Sequence, residues 1–221
     1  MTVKPQPASG ILAIWNDCLP GREAEYDAWY VEEHLPERMA IAGFRIGRRY
    51  RALSVGQPGY FTCYETDTPE VMRSAAYLAR VNAPTVRTRA IMAGTFLNMS
   101  RTVCRRTHAC GSQRGGRAVI VRTDTAGAIE HLIEDWTRLK SAPGVLRAEV
   151  WQAAVEPPAA RSVEAAIRGH DHAIAACLLL EFGDTARAAA TRDDLARTHA
   201  GHALTGHYEL CCWLQSEDLD R

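Results

Sequence analysis

The segment EYDAWYVEEHLPER, residues 25–38, carries the side chains of this chain best spaced to do chemistry. Residues at offsets 0, 3, 4, 7 and 8 share one face of a helix, and those offsets hold Tyr26, Trp29, Tyr30, Glu33 and His34. Such a face runs from aromatic to ionisable. It supplies apolar walls for a ring-shaped ligand and a few convergent polar groups to orient it. Leu35-Pro36 follows directly, and a residue before proline tends to leave helical backbone, so His34 is expected in the last turn. There the helix dipole and a neighbouring carboxylate favour the imidazolium, while burial opposes both. The pattern predicts a His34 that titrates near neutrality as general acid or base, with Glu33 orienting the ring or sharing its proton. The competing reading is architectural: an aromatic stripe facing the core and a histidine capping the helix end.

Other residues line up less firmly. On the strand GILAIWND, Trp15 and Asn16 point to opposite faces, and either could reach a pocket, the first also as core and the second as a strand-end hydrogen bonder. Arg48 and Arg49 put one cation on each face of the next strand, where a guanidinium could hold a carboxylate or phenolate or simply be solvated. Tyr60 and Tyr64 share a face of the third strand, as do Asn98 and Ser100 of the fourth. A metal site is the main chemical rival: His170, His172, His199, His202 and His207 fall in the second half, and Cys104, His108 and Cys110 cluster before its start. None has a recognised ligand spacing, so no metal is expected. Phosphate loops and hydrolase elbows are missing as well.

The elements that must position these residues are written twice, with a period of about 100 residues. GILAIWND (strand), GREAEYDAWYVEEHLPERMA (helix), GFRIGRRYRAL (strand), GYFTCYETD (strand), TPEVMRSAAYLARVN (helix) and GTFLNMSRTVCR (strand) give β-α-β-β-α-β. RAVIVRTD, GAIEHLIEDWTRLKSA, GVLRAEVWQA, HAIAACLLLEF, DTARAAATRDDLARTHA and HYELCCWLQ repeat that order after a looser stretch. Asp17 matches Asp124, and Gly43 matches Gly144. Counting back from those glycines sets His34 opposite Asp135, and only the first helix keeps the His-x-Pro pattern.

The order is the ferredoxin-like split βαβ plan. Runs such as ILAIW, AVIV and AIAACLLL are apolar at successive positions, so both sheet faces should be buried. The expected fold is α+β: two tandem ferredoxin-like repeats, residues 1–110 and 117–221, packed sheet to sheet around a barrel-like core with helices outside. Residues 111–116, GSQRGG, read as a flexible linker.

Bulk properties narrow the partners. Lys plus Arg equals Asp plus Glu at 26 each, leaving no net field for nucleic acid or an anionic membrane. No apolar run is long enough to span a bilayer, and the start MTVKPQPASG does not read as a leader. Seven cysteines, an odd number partly buried in apolar runs, argue against a disulfide framework and for a reducing, cytoplasmic setting.

With this plan, DAWYVEEHLPER followed by AGFRIGRRY resembles the dimeric α/β barrel superfamily, and within it the EthD-like proteins, some of which are tandem. The resemblance implies a cofactor-independent enzyme doing proton-transfer chemistry on a small aromatic or polycyclic molecule, as a dehydratase, cyclase, isomerase or monooxygenase-like catalyst. It also implies association into homo-oligomers. The alternative is a non-catalytic small-molecule-binding or stress-related barrel. Fold alone does not choose between them.

Overall fold

The computed structural model describes residues 9–154 and 161–219. Eight strands form one closed antiparallel barrel. The first half contributes β1 (Gly10–Cys18), β2 (Phe44–Ala52), β3 (Tyr60–Thr66) and β4 (Phe96–Cys110). The second contributes β5 (Arg117–Thr123), β6 (Val145–Ala153), β7 (Ala176–Phe182) and β8 (Leu204–Gln215). The circular order is β1-β3-β2-β8-β5-β7-β6-β4, so each half is a split βαβ sheet and the seams are β2 with β8 and β4 with β6. Closure leaves no sheet edge unpaired.

Closure also explains the unbroken apolar runs. Ile11, Ala13 and Trp15 point into the barrel, whereas Leu12 and Ile14 meet the helices outside. β3 and β7 are buried at every position. Inside, Trp15 stacks on Phe61 with centroids 4.9 Å apart, and Tyr50 stacks on Phe61 at 5.2 Å. One end of the interior is ionic: Glu65, Glu149 and Glu181 are met by Arg48, Arg106, Arg114 and Arg147.

Residues 111–116 are held rather than loose, which corrects the expectation from their composition. Arg114 pairs with Glu65, and the Gly115 N–H donates to Glu181 Oε2 at 3.2 Å. Gly111 has φ of +86°, and a Cβ there would lie 2.1 Å from the Leu146 carbonyl oxygen, so only glycine fits.

Outside the barrel, the first helix does not stop at Pro36. It runs as α1 (Glu23–Trp29), a π-helical turn (Tyr30–His34) and α2 (Leu35–Met39). The Leu35 N–H reaches back five residues to the Tyr30 carbonyl. Pro36 has no N–H to donate and crowds the carbonyl four residues before it, and the widened turn accommodates both. After β3 come a 3-10 turn (Pro69–Arg73), α3 (Ala75–Asn82) and α4 (Val86–Gly94). Ser74 and Thr85 cap the two helices, accepting from the Tyr77 and Thr88 N–H groups. The second half has α5 (Ile129–Leu139), α6 (Val163–Arg168) and α7 (Thr185–Thr198). The short helix α6 crosses to pack on α3 and α4 of the first half.

Candidate functional site

Between the first helix and the outer face of the first-half sheet lies a small cavity of about 40 Å³. Asn16, Tyr26, Trp29, Tyr30 and His34 all line it, so five of the residues singled out in the sequence do come together. His34 is buried between two rings, with its centroid 4.4 Å from Trp29 and 5.5 Å from Tyr30. Its Nδ1 is buried without a hydrogen-bond partner among the described residues. The Tyr26 hydroxyl donates to Asn16 Oδ1 at 3.1 Å, and the Tyr30 and Tyr64 hydroxyls share a hydrogen bond of 2.9 Å.

The electrostatics reverse the expectation for His34. Burial pushes its pKa well below the ordinary histidine value, and the positive fields of Arg38, Arg168, Arg49 and Arg80 push it the same way. The imidazole is therefore neutral at pH 7. The helix continues past it, so no carbonyl end lies there to favour a cation.

Glu33 is not its partner. Adjacent residues on a helix point in different directions, and Glu33 accepts from the hydroxyls of Thr85 and Thr88, the latter at 2.8 Å. Burial works against its ionisation, but these two hydrogen bonds outweigh it and hold the carboxyl below its usual range. Thr88 also accepts from Trp29 Nε1 at 3.1 Å. Glu33 thus orients the threonine that orients the tryptophan.

Three further candidates, Trp15, Arg48 and Arg49, do not line the cavity. Trp15 lies inside the barrel, because odd positions of β1 face inward. Arg48 also points inward, bonded to Glu181 and to Glu65 at 2.9 Å. Arg49, on the opposite face, sits behind the cavity wall. Its guanidinium is 4.4 Å from the Tyr26 ring centre, 4.3 Å from Tyr30 and 4.5 Å from Tyr60, and it pairs with Asp27 at 2.9 Å. It braces the aromatic wall by cation–π contact.

Three arginines that were not singled out line the cavity: Arg38, Arg101 and Arg168. Arg38 pairs with Glu164 of α6, which also faces Arg168 at 3.8 Å, and Arg101 donates to the Tyr77 hydroxyl at 2.9 Å. Glu164 and Arg168 come from the second half, so the first-half cavity is covered by the other repeat. Among the described residues no group of three His, Cys, Asp or Glu side chains converges to hold a metal ion. All seven cysteines are free, and among the described residues no helix is long and apolar enough to cross a membrane.

No family model and no curated protein matches this chain. Solved structures do. An anthrone oxidase-like protein superposes with a TM-score of 0.62 at 12% identity, over 97% of this chain and 96% of the other. A candidate monooxygenase of Fusobacterium nucleatum gives 0.58 at 11% identity, over 94% and 95%. A candidate chlorite dismutase gives 0.51 at 14% identity, over 96% and 97%. The fold is the dimeric α/β barrel. At these identities the likeness concerns the fold alone. Each half of this barrel supplies one βαββαβ unit, and the cavity described above lies on the helical side of the first.

Proposed function

We propose that this α/β barrel is a cofactor-independent, EthD-like enzyme that moves a proton on a small aromatic or polycyclic molecule in the cavity beside His34. The observation that carries the reading is a neutral, buried imidazole with an unpartnered nitrogen, set between two aromatic rings in a cavity ringed by arginines. A neutral imidazole can accept a proton from an acidic C–H or O–H of a ligand, whose electron pair stays behind as an enolate or phenolate. The positive field of Arg38, Arg101 and Arg168 favours that anion and disfavours a lone imidazolium, so the proton moves only when the anion forms beside it. Tyr26, Trp29 and Tyr30 form the wall, Asn16 fixes the Tyr26 hydroxyl, and Glu33 acts through Thr88 as a positioning residue. One fold neighbour, the anthrone oxidase-like protein, is named for a polycyclic substrate. Seven free cysteines favour a cytoplasmic setting.

A second reading is a non-catalytic binding or stress-related barrel whose aromatic helix face is core, and the small cavity volume favours that role for the face. About 40 Å³ holds two or three waters and no aromatic ligand, so a ligand enters only if part of the lining moves. The two readings separate on one experiment. Purified protein and its His34→Ala variant are incubated with a panel of hydroxylated anthrones and naphthols, with product formation and binding both followed. Turnover by the wild type that is lost in a folded variant supports the enzyme. Binding by both forms with no turnover supports the second reading.

A further inference from the structure

The two ends of the barrel interior are treated differently. At the end where β1 and β5 begin, Glu65, Glu149 and Glu181 answer the buried arginines. At the end where the same strands finish, Arg122 stands with neither a carboxylate nor a hydrogen-bond partner among the described residues, although it is largely buried. Its guanidinium lies 4.7 Å over the Trp15 ring. The Trp15 indole N–H is itself buried without an acceptor among the described residues. The Asp17 carboxylate, whose field reaches Arg122, accepts from Asn98 Nδ2 at 2.8 Å and from the Gly59 N–H at 2.7 Å and makes no ion pair with the arginine.

Arg122 opens into a cavity of about 560 Å³ at this mouth. Ser100, Thr123, His172 and His202 add polar atoms, Pro58, Ile174 and Leu204 add apolar wall, and Asp124 is the one carboxylate of the lining. A desolvated guanidinium without a counter-ion, backed by an aromatic ring, is the arrangement that takes a planar anion through two parallel hydrogen bonds. We infer that this mouth is a binding site for a small organic carboxylate with a flat apolar body, held by the Arg122 guanidinium, which Trp15 backs from the barrel side, and by the apolar wall of Pro58, Ile174 and Leu204. The site is separate from the His34 cavity: Asn98 and Ser100 of β4 line this one, and the alternate residues Met99 and Arg101 line the other.

Benzoate is the probe, titrated calorimetrically into the full chain, with inorganic phosphate as the competing anion. We expect one benzoate per chain at this site, binding weakened at least tenfold in Arg122→Met and partly restored in Arg122→Lys. Equal binding by Arg122→Met, or phosphate binding tighter than benzoate, overturns the assignment. Thermal unfolding of Arg122→Met without ligand should match or exceed the wild type, and a large loss would make the arginine structural instead. Crystals of the wild type soaked in 4-bromobenzoate decide independently of any variant. Anomalous bromine density beside Arg122 is expected; bromine in the His34 cavity alone, or nowhere, overturns the site.

Discussion

The His34 imidazole lies 4.4 Å from the Trp29 ring, centre to centre, with the two planes tilted by 36°. Trp29 is in turn fixed by Thr88, and Thr88 by Glu33. The ring nearest the proposed base is therefore held by a hydrogen-bond chain that runs out toward solvent.

Replacing His34 with Ala should lower turnover of a responsive aromatic substrate by about 100- to 10,000-fold, the range for loss of a general base. Because Glu33 touches the threonines and not the imidazole, Glu33→Gln should cost far less. A steady-state comparison of the two variants checks this, and equal losses would restore Glu33 to the chemistry.

The neutral His34 makes a pH prediction. Its folded pKa is depressed, so below about 6.5 the unfolded chain takes up a proton that the folded chain refuses. Stability is then lost as pH falls from about 6.5 toward the folded pKa. His207, depressed chiefly by burial, acts in the same direction. Urea unfolding between pH 5 and 7 should show a shallower slope in His34→Gln than in the wild type. A parallel pair of curves would mean the ring protonates freely in the fold.

Thr88→Val removes the acceptor of the Trp29 indole and one donor to Glu33, with little change in volume. A buried donor left unsatisfied costs about 1–3 kcal/mol. The loss should appear in chemical denaturation, and the Trp29 environment should change in near-ultraviolet circular dichroism. An unchanged unfolding midpoint would show that the indole finds another acceptor.

At the ionic end of the barrel, Glu65 is held down to about 2: burial would raise it, but the fields of Arg48, Arg106 and Arg114 prevail. Its contribution is present above the ordinary carboxyl pKa and is lost as pH falls from about 4.5 toward 2. Arg48→Met leaves Glu181 and Glu65 short of a cation, and breaking a buried pair in this way costs about 3–5 kcal/mol. Unfolding at neutral pH measures that loss. A neutral outcome would mean that Arg106 and Arg114 compensate fully.

Much of the architecture was legible because it rests on local pattern. The repeated turn glycines, the strand runs and the double βαββαβ order come from spacing along the chain, and the unbroken apolar strands already implied two buried faces. α4 and α6 were not anticipated. α6 is six residues long, and α4 follows directly on Pro84 with little amphipathic contrast, so neither leaves a periodic signal.

The candidate site divides along the same line. Tyr26, Trp29, Tyr30 and His34 reach one cavity because helical periodicity carries them there, and a period can be read from one segment. The sequence by itself therefore determined the repeated fold and the aromatic face that holds the histidine. Only the tertiary structure decided that His34 is neutral, that Glu33 faces Thr88, that Arg48 points into the barrel and that Arg122 makes no ion pair among the described residues. Ionisation follows from burial and from charges brought together across strands and halves. Arg168 acts on His34, and Arg101 joins the lining of its cavity, only once α6 and β4 have packed against the first helix.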